Sequence, residues 1–349
     1  RGLWEVFFLD GMMLPAIGEG DSAKKRLVRV GIAGQIVSLC LVGTSGSSAL
    51  LARRGWTMPM LQSFLTYLCI GVFYSGLVLY RGQDASGIRG GVMTSGMDAR
   101  MIGVFLAFAI SDVEANFTIV KAYQFTNLTS VTLLDCFTIP CVVCLSAVFL
   151  GARYTWVHGA GVVTAVAGLI LLVYTDLKAA EGEVPPPSPG NGGKRVLGDV
   201  LTLVAATLYA VSNIMQEHLT GIDDWRKVLA GLGIAASGIS GLQCLFLEYD
   251  SIAFYPWSFV DLLLLSSYVA CLFAIYTLVP QILMLSGATF LNLSLLTSDF
   301  WAVLFGVTVL KETVQWTYFV SFAATVAGIV IYHSKGEPVK SGGGSREEE

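Results

Sequence analysis

Ten stretches of roughly twenty mostly apolar residues succeed one another along this chain, and that recurrence decides what it can fold into. About twenty such residues are needed for a helix to cross the hydrocarbon core of a bilayer. Inside a bilayer only helices and closed barrels satisfy their own backbone hydrogen bonds. The runs are Leu27–Leu51, Met58–Tyr80, Met101–Tyr123, Thr126–Leu150, Thr155–Tyr174, Leu197–His218, Trp225–Tyr249, Val260–Leu285, Thr289–Leu310 and Gln315–His333. Charged residues make up 13% of the chain, against about 25% in a soluble domain. The expected fold class is therefore an all-α polytopic membrane protein.

The longer connections divide the chain. Residues 176–196 contain Pro185-Pro186-Pro187-Ser188-Pro189-Gly190, a composition expected to form a linker, with five runs on either side. The expected organisation is an N-terminal cytoplasmic segment over 1–26, a first five-helix repeat over 27–175, the linker, a second five-helix repeat over 197–333 and a disordered tail over 334–349. A shift of 160 places Leu150 on Leu310, Trp156 on Trp316 and Val166-Ala167-Gly168 on Val326-Ala327-Gly328. Five spans per repeat put the repeats in opposite orientations, the 5+5 inverted plan of many secondary transporters. Of the twenty-one Lys and Arg residues, fourteen fall on the side of the N-terminus, which predicts both termini in the cytoplasm. Residues 1–23 lack a basic stretch leading into an apolar core, so the first run is expected to direct membrane insertion.

Ionisable groups inside such runs are costly and mark sites or interhelical contacts. Asp112 and Glu114 lie in the third run, followed by Asn116, Phe117, Lys121 and Tyr123. At about 100° per residue the two carboxylates point to different sides, while Glu114 and Lys121 share a face. Asp135 and Asp299 occupy similar parts of the two repeats, one helical turn out of register, among hydroxyl and amide side chains. Both a site and interhelical hydrogen bonding fit each of them. Tyr209, Ser212, Asn213 and Gln216 recur at i, i+3, i+4 and i+7, making one face of the sixth run polar. Tyr123, Tyr209 and Phe117 offer rings for stacking.

Other chemistries find less support. The seven cysteines all fall in apolar runs, Cys141 and Cys144 included, where they pack as small hydrophobes. Gly43-Thr44-Ser45-Gly46 matches an intramembrane protease string, but His158, His218 and His333 each lie near a run's end, and a serine nucleophile needs a base within reach. Three scattered histidines make no metal set. No catalytic residue and no cofactor is expected. No basic stripe suggests nucleic-acid binding. The sequons at Asn116, Asn127 and Asn292 lie in or against the runs and are not expected to be glycosylated.

Several strings together resemble solute carrier family 35, F branch, within the drug/metabolite transporter superfamily. They are Gln35-Ile36-Val37-Ser38-Leu39-Cys40, Pro59-Met60-Leu61-Gln62-Ser63-Phe64, Asp112-Val113-Glu114-Ala115-Asn116 through Lys121-Ala122-Tyr123-Gln124, and Thr129-Ser130-Val131 to Leu134-Asp135-Cys136-Phe137. Gly198-Asp199-Val200-Leu201, Tyr209-Ala210-Val211-Ser212-Asn213 and Leu247-Glu248-Tyr249 also match. The resemblance runs from about residue 25 to residue 335 and implies a ten-helix carrier working by alternating access. It implies nucleotide-sugar exchange in the Golgi or endoplasmic reticulum for the wider family, and nucleobase- or nucleoside-like solutes for the F branch. Phosphates want several cations, and Lys121 is the one obvious candidate among the acids. The expectation is thus a carrier of a small polar organic solute, in the plasma membrane or an endomembrane. Its expected partners are the solute, the lipid bilayer and a coupling proton. Glu114, Asn116, Tyr123, Gln62, Tyr209, Asn213 and Asp299 are the expected substrate-binding residues, and Asp112, Lys121 and Asp135 the coupling or structural polar ones. A nucleotide-sugar exchanger and a non-transporting receptor or scaffold are the alternatives.

Overall fold

The computed structural model describes residues 23–84, 99–149, 154–182, 191–312 and 315–334. Eleven α-helices lie within them: α1 (Ala23–Arg53), α2 (Pro59–Asp84), α3 (Ala99–Ala122), α4 (Leu128–Asp135), α5 (Thr138–Phe149), α6 (Trp156–Gly182), α7 (Asn191–Thr220), α8 (Trp225–Leu247), α9 (Tyr249–Phe254), α10 (Phe259–Thr308) and α11 (Trp316–His333). Among the described residues eight spans are long and apolar enough to cross a membrane, from Val28–Arg53 to Phe259–Ile282; Trp316–Tyr332 is apolar but shorter. The described residues fold entirely as helices and their connections, and the molecule is polytopic.

Local chemistry sets several helix ends. Pro59 opens α2, where its missing N–H costs nothing. Ser258 and Asp261 form a capping box at the start of α10. The run Thr126–Leu150, read as one span, is divided between α4 and α5. Pro140 explains the division: it cannot donate to the Cys136 carbonyl four residues back, and its ring crowds that carbonyl. Helices α6 and α7 also run into the stretch expected to be linker, reaching Gly182 and starting again at Asn191, and 183–190 lie outside the described residues. The expected segment 1–26 and tail 334–349 lie almost wholly outside them.

The helices sort into two compact units. One holds α1, α2 and α8 to α10; the other holds α3 to α7 and α11. Each therefore draws helices from both halves of the sequence.

In the first unit α2 packs on α8, and α10 packs along α1. Gly71 and Gly233 make the α2–α8 crossing possible, since a Cβ on Gly71 would lie 2.9 Å from the Gly233 carbonyl carbon. A straight helix as long as α10 would span about 75 Å, more than twice a bilayer core. Its contacts exclude that shape. Asp261 pairs with Arg54, Cys271 lies against Gly43, and Ile282 packs with Val30, Ala33 and Val37, so this leg runs antiparallel to α1. Leu295 then joins the same cluster, Thr297 donates to Ser38 at 2.9 Å, Phe305 lies against Gly46, and Arg53 donates to the Leu310 carbonyl. This second leg runs parallel to α1. The chain reverses between Ile282 and Leu295, just after Pro280, which interrupts the hydrogen-bond ladder.

In the second unit α3 packs on α7, α4 and α5 also lean on α7, and α6 crosses α11. A Cβ on Gly161 would come within 2.6 Å of the Gly328 carbonyl oxygen, and one on Gly168 within 2.8 Å of the Ser321 carbonyl oxygen. Numbers rise on α6 as they fall on α11, so the two are antiparallel.

Candidate functional site

A polar seam joins α3 to α7. Small residues on α7, Ala205, Ala206 and Ala210, are fully buried and allow close approach. Asp112, 4% exposed, accepts a hydrogen bond from Ser212 Oγ at 2.7 Å. The Asn116 amide donates to the Asp112 carbonyl at 2.9 Å, and Tyr209 donates to Asn116 Oδ1 at 3.0 Å. Beyond the end of α3, Thr126 donates to Asp199 at 2.9 Å. The Ser212 hydroxyl thus ties α7 to α3. Glu114 lies roughly 200° round the helix from Asp112. It is half-buried, as are Phe117 and Lys121 along its own face and Tyr123 just beyond the helix. The i, i+3, i+4, i+7 reading of α7 thus divides: Ser212 and Tyr209 meet α3, whereas Asn213 is exposed.

Asp135 stands at the α4–α5 break. The N–H groups of Cys136 and Phe137 bond to Leu133 and Leu134, three residues back, at 3.2 and 2.9 Å, the tight geometry of a 3₁₀ turn. Across the break, Thr138 Oγ1 donates to the Ala206 carbonyl at 3.3 Å, and Cys141 Sγ lies 3.7 Å from Thr207 Oγ1. The Asp135 side chain also hydrogen-bonds to Thr138. Its buried Oδ1 has no hydrogen-bond partner among the described residues.

Gln62 and Asp299 belong to the other unit. Gln62 is fully buried and donates to Ser48 Oγ at 2.6 Å, while its Oε1 has no partner among the described residues. Asp299 is buried in the second leg of α10. This unit also holds an aromatic cluster that periodicity did not single out. Tyr74 stacks on Phe273 at 6.2 Å, meets Trp225 at 5.8 Å and donates to Thr277 at 2.9 Å, and Tyr67 lies 6.3 Å from Tyr276. Glu248, in the Leu247-Glu248-Tyr249 string, has a helix-capping contact that the sequence reading did not assign. Both its oxygens accept from α2's first turn, Met60 N at 2.8 Å and Leu61 N at 2.9 Å, where the helix dipole favours an anion. The one signal for it was a helix start with Pro59 and no acid of its own. Ser45, in the protease-like string, donates to the Leu41 carbonyl at 2.7 Å within its own helix. Among the described residues no three His, Cys, Asp or Glu side chains gather as a metal set.

The chain is similar to known membrane proteins over most of its length. The family described as Solute carrier family 35 matches residues 23–334. Mouse Solute carrier family 35 member F2 is 33% identical over 302 residues, which cover 86% of this chain and 77% of that protein. An uncharacterized solute carrier family 35 member of Schizosaccharomyces pombe is 32% identical, covering 88% of this chain and 58% of its own length. The Xenopus tropicalis member F2 is 29% identical, with 86% and 75% covered. A crystal structure matches in fold at TM-score 0.54 and 17% identity, over 89% of this chain and 97% of that one. This multi-pass membrane protein, with its polar seam inside a helical unit, belongs to solute carrier family 35, in the F branch.

Proposed function

We propose that this membrane solute carrier moves a nucleobase- or nucleoside-like solute by alternating access, through ten spans arranged as two inverted repeats of five. The eight long apolar spans become ten when α11 and the second leg of α10 are counted. The pairing of helices supports the inversion. A shift of half the chain turns α3 into the first leg of α10 and α7 into α1, so the α3–α7 and α10–α1 pairings are one arrangement used twice. At the α6–α11 crossing, the shift of 160 exchanges the Gly161–Gly328 approach with that of Ser321 and Gly168. Equivalent helices that cross antiparallel belong to repeats of opposite orientation. Both termini are placed in the cytoplasm, in the plasma membrane or an endomembrane.

Glu114 carries the solute reading. It is an ionisable group in mid-span, roughly 200° round α3 from Asp112, which the seam with α7 engages. On that face Glu114 accepts hydrogen bonds from the solute, Phe117 and Tyr123 offer rings, and Lys121 is the nearby cation. Asn213, exposed on α7 in the same unit, completes the proposed set. One cation is poorly matched to a nucleotide sugar's phosphates.

The test is uptake of labelled nucleobases and nucleosides into cells lacking and then expressing the chain, with a pH step imposed. Expression-dependent accumulation is expected. Glu114→Gln should lower it by about tenfold or more, as loss of a charged hydrogen bond of about 1.5–3 kcal/mol implies. No accumulation by protein shown to reach the cell surface would exclude this solute class. Exchange of nucleotide sugars by isolated Golgi vesicles would favour the alternative substrate. Binding without accumulation would favour a receptor.

A further inference from the structure

We propose that the connection from α8 to α10, residues 248–258, lies in the headgroup boundary of the lipid bilayer, with α9 held along the membrane surface as a lipid-facing anchor instead of looping into water.

The pattern of burial in this connection is inverted. A connection in water exposes its charges and hides its large rings. Here Phe246, Phe254 and Phe259 are 85, 84 and 80% exposed, and Tyr249 and Trp257 are exposed as well. Between Phe246 and Leu263 the sequence holds three acids, Glu248, Asp250 and Asp261. Two of them are hidden: Glu248 and Asp261 are 4 and 1% exposed. Each is turned inward by a partner beside the α1–α2 connection. Glu248 accepts from the Met60 and Leu61 N–H groups at the start of α2, and Asp261 pairs with Arg54 just beyond α1. Arg54 also donates to Ser258 Oγ at 3.0 Å.

These ties fix which side of the connection faces outward. Ile252 and Tyr255 pack on the cluster of Leu51, Trp56, Met58 and Leu265. The buried Trp56 ring meets Tyr255 at 5.2 Å and Trp257 at 5.6 Å. At about 100° per residue, Ser251 and Ile252 form the inward side of α9. Tyr249, Asp250, Ala253 and Phe254 form the outward side, and all four are exposed.

Lipid is the occupant because this outward side joins two surfaces that already face it. The span Trp225–Leu247 ends in exposed Leu245, Phe246 and Leu247, and the span Phe259–Ile282 begins with exposed Phe259, Val260 and Leu262. Apolar surface carried from one span through a connection into the next marks a membrane contact. Asp250 sets the depth. A carboxylate is costly in hydrocarbon, so its exposed side chain keeps α9 at the headgroup level, where Tyr and Trp also concentrate. Held by its rings from the membrane side and by Glu248 and Asp261 from the protein side, the connection fixes the α1–α2 turn at the membrane surface.

Tryptophan fluorescence in lipid nanodiscs holding one chain each tests this. Phe254→Trp keeps a ring at the outermost position, and its emission minus that of the wild type reports α9 alone. Phospholipids brominated near the headgroup end of the acyl chain should quench most of that added emission. Bromines near the methyl end should quench it less, and iodide in the water should quench little of it. Asp224→Trp, in the exposed α7–α8 connection, is the aqueous control and should answer to iodide instead. Added emission at Phe254→Trp that iodide quenches and bromolipid does not overturns the proposal and returns the connection to water. Emission that neither quenches also overturns it, because protein then covers the surface. Should Phe254→Trp fail to fold, the wild type gives a second reading. An apolar diazirine dissolved in the bilayer should, on photolysis, add its mass to the peptide containing Phe254 and Phe259. That peptide left unlabelled, while the α8 span is labelled, overturns the assignment. Neither reading uses a solute, so nucleoside uptake and the lipid anchor stand or fall separately.

Discussion

The seam between α3 and α7 separates residues that look alike in sequence. Asp112 and Glu114 are two positions apart in one span, yet Ser212 donates to Asp112, and Glu114 stands roughly 200° round the helix from it. Tyr209 has two separable attributes, a ring and a hydroxyl whose hydrogen bond to Asn116 is 3.0 Å. Tyr209→Phe removes only the hydroxyl, and interhelical hydrogen bonds in membranes contribute about 0.6 kcal/mol on average and at most about 1.7. The expected outcome is a small drop in detergent-unfolding stability with uptake retained. Tyr209→Ala also empties ring volume and should abolish uptake if the ring stacks on the solute. Equal uptake by Tyr209→Ala and wild type would remove Tyr209 from the solute site and leave it as packing.

At the scale of helices, small residues decide where elements cross and prolines decide where they break. Gly161, Gly168 and Gly328 set the α6–α11 crossing because a Cβ on any of them would meet backbone. Overpacking of this kind costs about 1–3 kcal/mol or more. Gly103 in α3 and Gly159 in α6 have open space where a Cβ would go. Alanine at such a helical position is favoured by about 0.5–1 kcal/mol. Gly328→Leu should therefore lower the thermal unfolding midpoint and broaden the size-exclusion peak, whereas Gly103→Ala should leave both unchanged or improved. An equal loss in both variants would show that the crossing is not held by close backbone approach. Pro140 and Pro280 act in the other direction. Pro140 divides a run that hydropathy leaves continuous, at the break that carries Asp135, whereas Pro280 lies inside α10 shortly before the reversal, where hydropathy already separates Val260–Leu285 from Thr289–Leu310.

At the scale of the whole molecule, the ten-span reading makes a topological prediction. Five spans separate each terminus from the 183–190 segment, so an epitope inserted there should be accessible from the side opposite to tags at both ends. Permeabilisation before antibody labelling distinguishes the sides, and accessibility of all three tags from one side would refute an odd number of spans per repeat. Trp156 and Trp316, both highly exposed at the starts of antiparallel helices, fit opposite membrane interfaces under the same reading. Hydropathy alone settled that the chain is a helical membrane protein, because an apolar run of span length has no other stable fate in a bilayer. The matched strings were equally legible and carried the family. Where the helices pair was not legible, because lipid-facing and helix-facing apolar residues have the same composition and packing there depends on shape. Nothing in the run of letters showed that α1 is flanked by both legs of α10, or that Glu248 caps a helix 187 residues earlier in the chain. Which donor reaches Asp112 was likewise decided in three dimensions. A carboxyl's role follows from which donors reach it, and those donors come from helices distant in sequence.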